Sequence, residues 1–423
     1  MENKKKILIE KLNDKNESVR LSSLEELVKL EEKPIKREND ANNHIHTIYS
    51  FSPYSPTKAA YMAYMSGLTS AGIMDHDSLS GAKEFKKACE ILGLGSTVGV
   101  EVRVKFKKGF GKINHPDQAD CVYMAAHGVP LKNVDEFNAY LDFYRKKRNE
   151  RNAKMCAKIS EKYGKFGLEL DFDKDVLPLS CASEGGSVTE RHLLFALAKK
   201  LGDRFGRTPE LINFLENDLN LKVSSKIASY LLDNENPHFL YDLLGVLKAD
   251  TAFFYIDADE ELPDALEFIA MAKKMGAIPA YAYLGDVGDS VTGDKKAQKF
   301  EDDFLDALVA KLKSLGYQAI AYMPTRNTSA QLDRIKKLCK DNGFFEISGE
   351  DINSPRQKFA CASLALAEFS HLIDSTWALI GHESVSEEKG LDYGMFSTKT
   401  IAKITDLNER IQYFAKIGRD TVK

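Results

Sequence analysis

Short runs of apolar and β-branched residues alternate with helically spaced apolar positions in two separated parts of the chain. Near 43–48, 70–75, 97–104 and 121–126 the runs predict strands, with helices near 56–66 and 80–92 between the first three. From 131 to 250 the pattern changes. Residues 142–163 read as a basic helix, further helices are expected around 189–201, 209–218, 222–232 and 238–247, and no convincing strand is found. Alternation resumes after 250, with strands at 277–283, 318–323 and 344–349 and helices at 261–275, 298–315, 328–342 and 358–370. Ahead of all this, Leu12, Leu21, Leu24, Leu27, Val28 and Leu30 keep helical spacing up to a stop at Pro34, and a helical tail including Ile401 to Ile417 closes the chain.

Seven strands, mostly separated by helices, are expected to run parallel. Interrupted by a helical block, they point to an α/β fold: a distorted (β/α)7 barrel with a helical insertion domain and an N-terminal helical extension. A doubly wound open sheet is the alternative. The divisions expected are an extension at 1–38, barrel halves at 39–130 and 251–385, an insertion at 131–250 and a tail at 386–423.

Candidate chemistry gathers where the strands end. His44 and His46 are two apart in a predicted strand, so both face one side, and paired imidazoles are a common grip on a transition metal. Asp75, His76 and Asp77 follow the second strand, Glu101 lies in the third, His127 ends the fourth, and Asp351 and Asn353 follow the last. In barrels of alternating strands and helices, chemistry is built on the face carrying the strands' C-terminal ends. A lone Glu101 or Asp351 reads more readily as a solvated or capping carboxylate, but four strand ends of the same character are hard to reach by accident.

Composition narrows the class. With 43% hydrophobic and 29% charged residues the chain is an ordinary globular protein, and a net charge of −4 disfavours nucleic acid as a partner. No apolar run approaches the roughly 20 residues that span a bilayer, and the charged start lacks a signal-peptide core. Six scattered cysteines without a C-x-x-C pair are expected to be reduced, in a cytoplasmic protein.

His44-x-His46, Asp75-His76-Asp77 with Ser78 and Gly81, Glu101, and Gly349-x-Asp351 together resemble the polymerase and histidinol phosphatase (PHP) superfamily. The stand-alone metal-dependent phosphoesterase branch is the nearest match. Arg148-x-x-Arg151-x-x-x-Met155 and Ser187 to His192 are similar to elements of that branch's helical subdomain. The resemblance implies a (β/α)7 barrel holding up to three metals and hydrolysing phosphoesters with metal-activated water. It implies one site from His44, His46, Glu101 and Asp351, a ligand mixture suited to Zn, Mn or Fe.

The chain also departs from the family pattern. Phe51 stands where an Asp or His is usual, Ala282-Tyr283-Leu284 replaces Ala-His-Pro, and Asp351-Ile352-Asn353 replaces Asp-x-His. A fourth-strand histidine would fall near Tyr123, and His127 replaces it only if the register allows. About one divalent metal per chain is therefore expected.

Other candidates carry two readings each. Arg326, after a predicted strand, is a phosphate clamp or a surface ion pair; for Arg356 the ion pair is favoured. Arg191 and His192 touch a substrate phosphate or simply begin a helix. Asp286 and Asp289 read as a turn, His371 and His382 beside Trp377 as packing, His115 and His238 as loop residues, and Arg145 to Arg151 as a solvated helix face. Two functions follow. One is a hydrolase of a small-molecule phosphate ester, with His76, His127 or Asp75 relaying protons. The other is a metal-depleted, non-catalytic barrel that binds a ligand or partner. The N-terminal helices are a candidate surface for a protein partner or self-association.

Overall fold

The computed structural model describes residues 2–30, 40–106, 109–115, 117–288 and 298–422. Pro34 and Asp289 lie outside the described residues. Seven strands form one sheet in chain order: β1 Ala41–Ile45, β2 Ser70–His76, β3 Gly95–Lys105, β4 Cys121–His127, β5 Ile278–Ala282, β6 Ala319–Tyr322 and β7 Phe345–Ser348. The chain beyond β7 returns to β1, where His46 N donates to Ile352 O (2.9 Å) and Ile352 N to His44 O (3.1 Å). A nearly closed, helix-wrapped α/β barrel results.

One expectation is overturned. β4 runs antiparallel to both β3 and β5, whereas the other neighbouring pairs are parallel. A parallel return needs a crossover, usually helical, and the described residues between β3 and β4 hold no helix. The register sets Glu101 opposite Ala125, Arg103 opposite Tyr123 and Gly99 opposite His127. His127 therefore ends β4 below Glu101, toward the opposite end of the barrel from the other strand ends.

The helices around the barrel begin and end on recognisable signals. Helix Pro56–Met65 has Pro56 in its first turn and Ser55 Oγ accepting from Lys58 N. Helix Ala82–Leu92 stops at Gly93 in the left-handed region. The helix expected at 358–370 is instead a set of short turns, and the long helix is Ser370–Lys389. The backbone before it is committed elsewhere: Phe359 O accepts from Asn42 Nδ2, and Cys361 N donates to Asp40 Oδ2. Buried residues of the barrel and its helices form one core.

A second core lies among helices Val134–Tyr163, Glu190–Phe205, Pro209–Asn213, Ser225–Leu232 and Phe239–Leu247. The described residues of this stretch contain no strand. At the N-terminus, helices Glu2–Lys11 and Glu17–Leu30 are bolted to the barrel by Arg20, whose Nε donates to Glu84 Oε1 at 2.8 Å beside Thr57 Oγ1 on the same oxygen. Among the described residues no helix is long and apolar enough to cross a membrane.

Candidate metal centre

The end of β1 supplies His44 and His46, β3 supplies Glu101, and the segment after β7 supplies Asp351. Their approach depends on a glycine: a Cβ at Gly349 would lie 2.7 Å from His44 Cβ, so no larger residue lets these strands close. One ligand atom from each of His44, His46 and Glu101 lies within 4.8 Å of the other two. Glu101 Oε2 is 3.6 Å from His44 Nε2 and 3.8 Å from His46 Nε2, and Asp351 Oδ1 is 3.2 Å from His46 Nε2. Both Nε2 atoms are buried without a hydrogen-bond partner. Buried polar atoms are rarely left so, and neutral imidazoles facing carboxylates form a donor set that suits a divalent cation. The residues present fit a metal.

Electrostatics agree with the geometry. Burial pushes the Glu101 carboxyl up, but the His44 and His76 imidazoles outweigh it and hold it well below the usual range. Asp351 is held down in the same way, against burial, by His46, His44 and Arg191. His44 is raised because Glu101 and Asp351 overcome its burial, while His46 is lowered by burial and by His76. Asn353 Nδ2 donates to Asp351 Oδ1 (2.6 Å), and Gln357 Nε2 to Asp351 O (2.7 Å), so the residue expected to touch substrate instead orients a carboxylate.

The remaining candidates fall into different places. His76 Nδ1 lies 2.9 Å from Glu101 Oε2, inside the cluster. Asp75 is buried and turned to the loop after β1, accepting from Thr47 N, Thr47 Oγ1 and Ser50 Oγ, each at 2.6 Å. His127 is buried with Nε2 unpartnered, and burial and the His44 charge lower its pKa to about 3. His192 caps its helix: Nδ1 accepts from Thr189 N at 2.9 Å. Arg191 is close enough for Asp351 to feel its charge. Arg326 is half-buried, donates through Nε to Leu284 O (3.1 Å), and holds its guanidinium 5.6 Å from the centroid of the Phe300 ring.

Two of the altered positions are engaged elsewhere. Phe51 packs into the second core, its ring centroid 4.9 Å from His192, 5.7 Å from Phe195 and 5.9 Å from Tyr241. Tyr283 OH donates to Asp302 Oδ1 at 2.7 Å. Outside the cluster, Asp286 accepts from Phe300 N, Arg356 grips Asp242 with two 2.7 Å bonds, and both ring nitrogens of His382 are bonded to backbone.

The basic run corrects a further expectation. Arg145, Arg148 and Arg151 are 5–7% exposed rather than solvated. Arg148 pairs with Glu190 (3.0 Å) and Asp77, Arg151 with Glu261 (2.5 Å) and Glu190, and Arg103 of β3 with Glu190 (3.3 Å) and Glu261. This network fastens helix Val134–Tyr163 over the barrel mouth. The spacing of three, which puts the arginines on one helical face, was its signal.

No family model matches the chain, and no curated protein matches it. Among solved structures it is similar to a Bifidobacterium adolescentis protein named as a metal-dependent phosphoesterase, at 18% identity, covering 81% of this chain and 98% of that one, with a TM-score of 0.50. An amidohydrolase from Chromobacterium violaceum, solved with sulfate and no metal, follows at 17% identity, 76% and 89% coverage and a TM-score of 0.49. At these identities the first likeness establishes the barrel fold and leaves the chemistry to the residues.

Proposed function

We propose that the protein is a metal-dependent hydrolase acting on a small-molecule phosphate ester. The observation that carries this reading is the convergence of His44, His46, Glu101 and Asp351, with two buried imidazole nitrogens left for a cation. His44, His46, Glu101 and Asp351 would hold a divalent ion, which would lower the pKa of a bound water to roughly 7 and offset charge growing on a phosphoryl oxygen. Zn, Mn or Fe suits the ligand set, and one ion per chain suits a cleft in which Phe51 and Tyr283 are engaged elsewhere and Asn353 is bonded to Asp351.

The chain's own groups supply the rest. Arg191 and Arg326 place positive charge beside Asp351, where an anionic ester can be held and oriented. His76 rests Nδ1–H on Glu101 and keeps Nε2 to take or give a proton. Asp75 is saturated by three donors and His127 is sunk below Glu101, so neither is placed to relay protons to the cleft.

The test is phosphate release from a panel of phosphate monoesters with added Mn2+, Zn2+ or Fe2+. His46→Ala and Glu101→Ala should abolish it with unchanged circular dichroism. Absence of metal-dependent turnover in the unaltered protein would favour the second reading, a binding barrel, for which the commitment of Phe51 and Tyr283 to packing speaks.

A further inference from the structure

We infer that Asp75 and Ser50 are positioning residues for His46, setting the ring tautomer that leaves Nε2 as a free lone pair. The inference rests on reading His46 as a metal ligand. His46 Nδ1 lies 3.3 Å from Ser50 Oγ, and Ser50 Oγ lies 2.6 Å from Asp75 Oδ1. All three side chains are at most 1% exposed.

Ser50 has a single hydroxyl proton. The Asp75 contact takes it: Ser50 Oγ lies 2.6 Å from Asp75 Oδ1 against 3.3 Å from His46 Nδ1, and that carboxylate also accepts from Thr47 N and Thr47 Oγ1. Toward His46 the hydroxyl can then only accept. Nδ1 must therefore carry the imidazole proton, and Nε2 is left unprotonated. That is the atom found buried without a hydrogen-bond partner, facing Glu101 and Asp351.

The arrangement answers a real competition. Asp351 Oδ1, 3.2 Å from Nε2, would draw the opposite tautomer, with the proton on Nε2 and the metal position blocked. The Asp75–Ser50 chain opposes this from the far side of the ring. Asp75 also accepts from the backbone N and the hydroxyl of Thr47, so the same carboxylate fixes the residue immediately after His46. A histidine ligand held through its second nitrogen by a hydrogen-bonded carboxylate is a recurrent device, and losing such a partner typically lowers metal affinity roughly 10–100-fold.

The experiment reads the tautomer directly. Nitrogen-15 NMR of the metal-free full-length protein, at mildly alkaline pH, should show His46 protonated on Nδ1. In Ser50→Ala the acceptor is gone and the population should move toward Nε2–H. Asp75→Ala frees the Ser50 proton to donate to Nδ1 and should move it the same way; if that variant fails to fold, Ser50→Ala decides alone. Calorimetric titration with Zn2+ should show affinity for Ser50→Ala lower by roughly 10–100-fold. An Nε2–H ring in the unaltered protein, or a Ser50→Ala variant unchanged in either tautomer or affinity, overturns the inference. If the protein binds no metal at all, the ligand reading falls, while the tautomer in metal-free protein is still decided on its own.

Discussion

Phe51 occupies a position where the resembled family carries a metal ligand, and the structure gives it another task. Its side chain is 7% exposed and closes one side of the second core, against His192, Phe195 and Tyr241. Burying such a ring is worth about 1.5–3 kcal/mol by transfer alone. Removing it also leaves a cavity, so Phe→Ala changes in cores cost about 3–5 kcal/mol. Because Phe51 reaches the core from a loop that can relax inward, the lower end, about 3 kcal/mol, is expected for Phe51→Ala. That is a large share of a typical stability of about 5–15 kcal/mol, yet leaves a folded protein. Urea unfolding followed by circular dichroism would read it as a lowered midpoint at similar slope. A loss below about 1 kcal/mol would refute the anchor, because it would mean that the ring contributes little packing. Phe51→His sharpens the point: a histidine directed into the helical core adds no bound metal, whereas a gain of metal would show that the position faces the cluster.

Further consequences follow from buried charge and from the cleft. His382 Nε2 lies 2.7 Å from Gly276 O and Nδ1 accepts from Met395 N at 2.9 Å, so only the neutral ring fits, and burial lowers its pKa to about 4. A depressed histidine stabilises fully above its unfolded pKa near 6.5 and progressively less as pH falls toward about 4. The span corresponds to on the order of 3 kcal/mol, and His382→Gln should remove that part of the acid slope in denaturation profiles. Glu261→Gln leaves Arg103 and Arg151 short of a buried counter-charge and should cost about 3–5 kcal/mol, read by thermal melting. Arg326→Ala, by removing charge-assisted bonds to an anion worth about 1.5–3 kcal/mol, should raise KM roughly ten- to a hundredfold, with a smaller change in kcat. An unchanged KM would remove Arg326 from substrate binding.

Much of the barrel could be read from the chain because its signals are local. Each strand is a compact apolar run, and all seven lie within three residues of where the runs placed them. The pairing of His44 and His46 needed only the two-residue repeat of a strand, and Gly349 and Asp351 stand close together in sequence. What escaped depends on distant partners. The direction of β4 is not written in its own residues; it follows from a connection without a helix among its described residues. Arg145, Arg148 and Arg151 read as solvated because their partners are distant: Arg148 and Arg151 meet the carboxylates of Asp77, Glu190 and Glu261 from three other parts of the chain, and Arg145 donates to the backbone oxygen of Asp77. His192 kept two readings in the sequence because a capping histidine and a substrate-facing one share the same place at a helix start, and the structure shows the cap. Asp75 was expected to relay protons, since nothing local revealed that Thr47 and Ser50 would claim its carboxylate.

One divalent ion is expected between His44, His46, Glu101 and Asp351. Elemental analysis of the purified protein, beside His46→Ala and Glu101→Ala, tests it most directly. About one divalent ion per chain in the unaltered protein and almost none in either variant is the predicted result. A metal-free protein, or metal content that survives both substitutions, would contradict it.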